Sequence, residues 1–273
     1  MLLNDETTLP AIGYGTYPLR GDEAAEAVRS AIEVGYRHID AAVNYQNEDA
    51  VGRGLATSDL DRAQVRVATK LPGRDHGYYE TLASFERSRS ALGVEFIDLY
   101  LIHWPNPSVD KYVQTWQAMI ELQRSGVVRS IGVCNFTERF LTRLIDETGV
   151  VPAVNQVELH PYFLQSELRE FHRVHGIVTQ AWSPLGRNLP ILTEPAIRRA
   201  AEAHGATQAQ VVLRWHVQIE SMPIPKTAHR ARQRENLDIF GFELSNDEVL
   251  AITALGRPDG RSFGADPDVH EEM

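Results

Sequence analysis

The chain lacks most of what would place a protein outside the cell, in a membrane or along nucleic acid. Cys134 is its one cysteine in 273 residues, so no intrachain disulfide can form. That fits a reducing compartment, and a cytoplasmic location is expected. No run approaches the roughly 20 apolar residues of a membrane span. The opening MLLNDETTLP has no basic stretch leading into an apolar one, so no secretory signal is expected. Positive charge is in deficit: 27 Lys and Arg stand against 37 Asp and Glu, a formal net charge of −10. Such a surface does not suit nucleic acid or anionic lipid, although one local basic pocket remains compatible with it. The ten histidines show no HExxH or other tight ligand spacing, so no metal is expected. Gly13-Tyr14-Gly15 is not followed by the third glycine of a dinucleotide-binding turn. No Tyr-x-x-x-Lys occurs.

What the chain has is one repeated cadence of amphipathic helix, glycine and apolar strand. Ala25, Val28 and Ile32 recur at helical spacing before Gly35. Leu82, Phe85 and Leu92 do so before Gly93, and Val113, Trp116 and Ile120 before Gly126. Phe140, Leu144 and Ile145 precede Gly149, and Leu168 and Phe171 precede Gly176. After each glycine comes a run that reads as a buried strand: YRHID, VEFIDLYLIH, VVRSIGVCN, VVPAVNQ and IVTQAW. Polar residues end the strands at 40, 70, 103, 135, 156, 182 and 226. Their mean gap is about 31 residues, the size of one βα unit. A first strand near PAIGYGTY makes eight. The pattern predicts one α/β domain over residues 1–273, a (β/α)8 TIM barrel. MLLNDETTLP is expected to form a hairpin closing the barrel floor. Ser245-Asn246-Asp247-Glu248 reads as a capping box that starts an extra helix. From Gly256 onward the chain reads as a loop.

Four strand-end side chains form a chemical set: Asp40, Tyr45, Lys70 and His103. A phenol is a poor acid at neutral pH, with a reference pKa of about 10. A neighbouring ammonium favours its ionised form, and a carboxylate behind the ammonium keeps that group charged and aimed. An imidazole can hold a carbonyl oxygen in line for the proton. All four fall at carboxyl ends of strands, the face where barrel enzymes build their sites. Taken singly, each has a plainer reading: a loop hydrogen-bonder, a rim aromatic, a solvated strand end, a satisfied histidine.

The ordered segments IDAAVNYQNEDAVG, ATKL, DLYLIHWP, SIGVCNF, VNQVELHPY, WSPLG and IPKT…R…EN resemble the successive signatures of the aldo-keto reductases. Within that family they are most similar to the short bacterial reductases of the 2,5-diketo-D-gluconate type. The resemblance spans nearly the whole chain. It implies NADPH-dependent reduction of aldehydes and ketones, with keto-sugar acids or related small dicarbonyls as candidate substrates. Tyr45 falls at the family's proton donor, Lys70 and Asp40 at its supporting pair, and His103 at the residue orienting the carbonyl. Asn135 and Gln156 fall where the nicotinamide carboxamide is held, and Trp182 where an aromatic stacks on its ring. Ser183 and Leu185 lie on the loop over the pyrophosphate. Lys226, Thr227 and Arg232 match the 2′-phosphate site, and Asn236 the adenine contact. Tyr17, Trp104 and Phe263 are expected to wall the substrate pocket. Cys134 and Thr227 replace a usual serine, His229 a frequent arginine, and Pro72 a tryptophan that shapes one pocket wall.

The resemblance implies a monomer acting on a small-molecule carbonyl, without nucleic-acid, membrane or metal partners. The segment from Arg257 onward is expected to fold over the catalytic face as a lid, with Gly260 and Gly264 permitting movement. One different class stays open on sequence alone: a non-catalytic regulatory subunit that binds the nicotinamide cofactor on the same barrel.

Overall fold

A computed structural model describes residues 1–273. Eight parallel strands join in sequential order into one sheet. They are β1 (Tyr14–Gly15), β2 (His38–Asp40), β3 (Arg66–Leu71), β4 (Ile97–Ile102), β5 (Val128–Cys134), β6 (Val154–Glu158), β7 (Val178–Trp182) and β8 (Ser221–Pro223). Two backbone bonds close the ring: Gly13 N–H donates to the Pro223 carbonyl and Gly15 N–H to that of Pro225, both at 3.0 Å. This is the expected (β/α)8 barrel.

Around it lie α1 (Gly21–Val34), α2 (Glu48–Ala56), α3 (Tyr78–Leu92), α4 (Tyr112–Arg124), α5 (Glu138–Thr148), α6 (Ser166–His175), α7 (Pro195–His204), α8 (Gln208–Gln218), α9 (Arg230–Leu237) and α10 (Asn246–Thr253). Their apolar stripes supply the core between helices and sheet: Val28, Ile32, Phe85, Leu92, Trp116 and Leu144 are all buried in one cluster. Gly93 ends α3 with φ +64, a left-handed backbone that side chains resist. The capping box before α10 forms as read: the Ser245 hydroxyl accepts from Glu248 N–H, and the Glu248 carboxylate accepts from Ser245 N–H.

Several elements differ from expectation. The sixth strand begins at Val154 rather than Val150, because Pro152 has no N–H to give a ladder. β2 begins at His38, since Tyr36 leaves the sheet to pack its ring 5.4 Å from that of Tyr14. The long interval between Trp182 and Lys226 holds two helices, α7 and α8, where the cadence implied one.

The first ten residues form the expected hairpin. Leu3 N–H bonds Thr7 O at 2.9 Å, and Leu9 N–H bonds Met1 O. Leu3 and Leu9 are buried and join the apolar cluster that also holds Leu99 and Leu101, so the hairpin closes one end with apolar side chains. The chemistry is left to the other end.

Several histidines are sealed in as neutral bases. Burial holds His38 at about 4, His172 at about 3 and His216 at about 3. Their folded values lie below the unfolded value of about 6.5, so the unfolded chain binds more protons between those limits. Stability is therefore complete above about pH 6.5 and falls as pH drops, each histidine contributing up to about 1.4 kcal/mol per pH unit. Urea denaturation at a series of pH values checks this. A flat stability between about pH 6.5 and 4.5 would contradict it.

Candidate active site

At the carboxyl-terminal mouth, β2 and β3 stand side by side with Asp40 paired to Ala68, two residues before Lys70. Lys70 Nζ lies 2.6 Å from Asp40 Oδ2 and donates to the Ala41 carbonyl at 2.8 Å. Both side chains are sealed from water, at 0% and 5% exposure. Burial opposes the ammonium, but the Asp40 carboxylate outweighs it and holds Lys70 above the usual lysine range. The other Asp40 oxygen accepts from Gln156 Nε2 at 2.9 Å.

Tyr45 follows on a single 3₁₀ turn, Val43–Tyr45, and faces the cleft. Lys70 Nζ sits 4.7 Å from its ring centroid. Burial raises the phenol and the Lys70 charge pulls it back, with burial prevailing, so Tyr45 carries its proton at neutral pH. His103, just past β4, sets its ring edge-on to Tyr45 with centroids 5.7 Å apart. The structure thus brings together all four residues singled out in the sequence.

The cleft has a volume of about 540 Å³ and contains Asn135, Gln156, Trp182, Ser183, Leu185 and Lys226 in its lining. Asn135 Nδ2 donates to His103 O at 3.0 Å, and its Oδ1 accepts from Trp182 Nε1 at 2.8 Å. One amide therefore fixes the indole plane against the histidine backbone. The Ser183–Leu185 loop is fixed from below by a residue the sequence did not single out. His216 of α8 reaches the Pro184 carbonyl with Nε2 at 3.1 Å and Ser221 Oγ with Nδ1 at 2.9 Å. A carbonyl only accepts, so the proton sits on Nε2 and Nδ1 accepts from the serine.

Lys226 and Thr227 follow β8, and Arg232 and Asn236 ride on α9. Tyr14 Oη donates to the Thr227 carbonyl at 2.6 Å, and Gln233 Nε2 donates to Tyr14 Oη at 3.3 Å. Lys226, His229 and Arg232 are exposed at the start of α9, while Arg230 is engaged with Glu33 at 2.6 Å. Two cations without carboxylate partners at a helix N-terminus suit a phosphate. Cys134 is buried below among Leu99 and Leu101, and burial pushes its thiol well above the usual range. Burial of that kind disfavours the reactive thiolate.

Tyr17, Trp104 and Phe263 all line the cleft. The surprise is at the chain's end. His270 lies against Trp104 with centroids 4.3 Å apart, and Glu272 enters the cleft wall. Gly260 is not a hinge: a Cβ there would lie 1.8 Å from the Tyr162 carbonyl, so the glycine serves close packing. No group of three or more His, Cys, Asp or Glu stands ready for a metal.

A closed parallel barrel with a proton-bearing phenol against a buried ammonium at its mouth has the frame of a barrel enzyme. A family model described as the Aldo/keto reductase family matches residues 11–257. The 2,5-diketo-D-gluconic acid reductase B of Corynebacterium sp. (strain SHS752001) is 56% identical over 271 residues, 99% of this chain and 97% of its own. Methylglyoxal reductase DkgA of Escherichia coli (strain K12) is 41% identical over 267 residues, 97% and 96% of the two chains. A solved structure of a Gox0644 variant in complex with NADPH matches with a TM-score of 0.95 at 46% identity, over 99% and 98%. The chain belongs to the aldo/keto reductase family.

The buried ion pair makes a stability prediction. Lys70→Met strands a carboxylate in the barrel mouth and should lower unfolding free energy by about 3–5 kcal/mol. Adding Asp40→Leu should restore part of that loss. Urea denaturation of the single and double variants decides it, and a neutral Lys70→Met would refute the pairing.

Proposed function

We propose that this chain reduces aldehydes and ketones to alcohols with NADPH, and that Tyr45, Lys70, Asp40 and His103 carry the reaction. The bound cofactor supplies a hydride to the carbonyl carbon. The residues present suit such a group: the amides of Asn135 and Gln156 and the indole face of Trp182 lie together in the cleft. Ser183 and Leu185 lie on the loop beside them, and Lys226, Thr227, Arg232 and Asn236 form the phosphate and adenine end.

The protein's part is the proton. Tyr45 enters with its proton held by burial, which a general acid requires. Charge growing on the substrate oxygen makes the phenol's departure to phenolate easier, because Lys70 stands ready to stabilise it. Asp40 keeps Lys70 cationic and fixed. His103 orients the oxygen toward Tyr45. The observation that carries this reading is the placement of Lys70 between Asp40 and Tyr45. A regulatory subunit that merely binds cofactor needs no proton-bearing phenol against a buried cation. Small dicarbonyls are the proposed substrates, in keeping with the names of two relatives. A monomer in the cytoplasm is the proposed state, since one chain supplies every group named.

Tyr45→Phe keeps the ring and removes the acid. Its kcat should fall by about 2–4 orders of magnitude with NADPH affinity retained. Near-normal turnover would end the assignment. Arg232→Ala should raise the KM for NADPH roughly tenfold, equivalent to about 1.4 kcal/mol, and leave that for NADH unchanged. Equal effects on both cofactors would remove Arg232 from the 2′-phosphate site.

A further inference from the structure

Beyond residue 257, where the family match ends, the chain crosses the barrel mouth as a strap. Its anchors are specific. Glu158 Oε1 accepts from Ser262 N–H at 2.6 Å, and Arg139 meets Asp268 at 3.1 Å. Ser108 N–H donates to Glu271 Oε1 at 2.7 Å. Asn106 holds Glu272 by its backbone: the amide donates to Glu272 O, and Oδ1 accepts from Glu272 N–H at 3.3 Å. Asn44 Nδ2 donates to Met273 O at 3.1 Å. The strap lies so close to Gly73 that a Cβ there would stand 1.9 Å from Glu272 O. All this placement delivers one carboxylate. Glu272 Oε1 lies 2.8 Å from His103 Nδ1, with the two side chains only 16% and 11% exposed. The contact lies off the hydrogen-bond axis, so its pull is that of charge.

We propose that Glu272 is a positioning residue for carbonyl reduction, acting through His103 by keeping the ring's Nδ1 toward the strap, so that Nε2 faces the substrate oxygen. The proposal rests on the reductase reading above. The two ring nitrogens are distinct positions of one rigid ring, so a carboxylate held against Nδ1 fixes the direction in which Nε2 points. Glu272 stays anionic to do this: burial raises its carboxyl, but His103, Asn44 and His270 together hold it below the usual range.

The groups facing the pair come from every side of the mouth. Tyr45, with Lys70 and Asp40 behind it, comes from β2 and β3. His76 comes from the segment after β3, with Asp75 and Lys111 acting on it, and burial holds it neutral at about 4. Cys134 comes from the end of β5, and Glu271 and His270 from the strap. Within this set Glu272 is the carboxylate in contact with His103.

The test is NADPH-dependent reduction of a neutral aldehyde, 4-nitrobenzaldehyde, from about pH 5.5 to about 9, with NADPH affinity measured by fluorescence titration. Glu272→Gln should lower kcat/KM about tenfold, and NADPH affinity should not change. Glu272→Asp, which keeps the carboxylate, should restore most of the activity. In a His103→Gln background, Glu272→Gln should add nothing. A Glu272→Gln enzyme as active as the wild type, or a loss that persists undiminished in the His103→Gln background, overturns the proposal and leaves the reductase reading intact. A wild type that binds NADPH but reduces no carbonyl overturns both.

Discussion

The mouth of this barrel is organised around one buried ion pair. Lys70 and Asp40 have almost no contact with water, so each charge is tolerable only because the other stands 2.6 Å away. A pair in that state cannot drift, and everything nearby is placed relative to it. Gln156 is held by the second Asp40 oxygen, and Tyr45 is covered on one side by the ammonium. The parallel register of β2 and β3 sets the pair, and the closed ring around them keeps water from replacing either partner.

A second level of fixation comes from side chains outside the catalytic set. His216 holds the Pro184 carbonyl, Asn135 locks the Trp182 indole, and Tyr14 holds the Thr227 carbonyl. His216 and Tyr14 each donate to a loop carbonyl, and Asn135 accepts from the Trp182 indole. Such bonds gain weight where the alternative is an unpaired buried polar atom. They give the loops of the mouth the precision of the strands beneath them.

The strand ends were legible in the sequence because their signal is local. A polar residue closing an apolar run, as in FIDLYLIH or VRVATK, marks both the strand and the face it ends on. Helix stripes and the Ser245 capping box were readable for the same reason. The extra helix between β7 and β8 was hidden by an average spacing that absorbed one long interval. Pro152 shortened β6 through a missing N–H, which hydrophobicity alone does not weigh. His216 left no trace, since a neutral buried histidine looks like any other on an apolar stripe. The strap was read as a covering loop with one apolar contact at Phe263. Its polar end, VHEEM, resembles a solvated tail, because only the folded barrel shows Asn106 and Gly73 waiting to receive it.

The barrel seam has a consequence of its own. β1 and β8 form no continuous ladder and meet through the bonds from Gly13 and Gly15. Just past that joint stand Lys226 and Thr227, and Tyr14 spans it with its hydroxyl on the Thr227 carbonyl. Opening of the seam would scatter the atoms proposed above for the phosphate. Reciprocity then runs the other way: whatever anion those residues hold in the closed ring also resists its opening. A ligand held there would act as a clasp on this joint, so that occupancy of the cleft and integrity of the cylinder would become two readings of a single equilibrium.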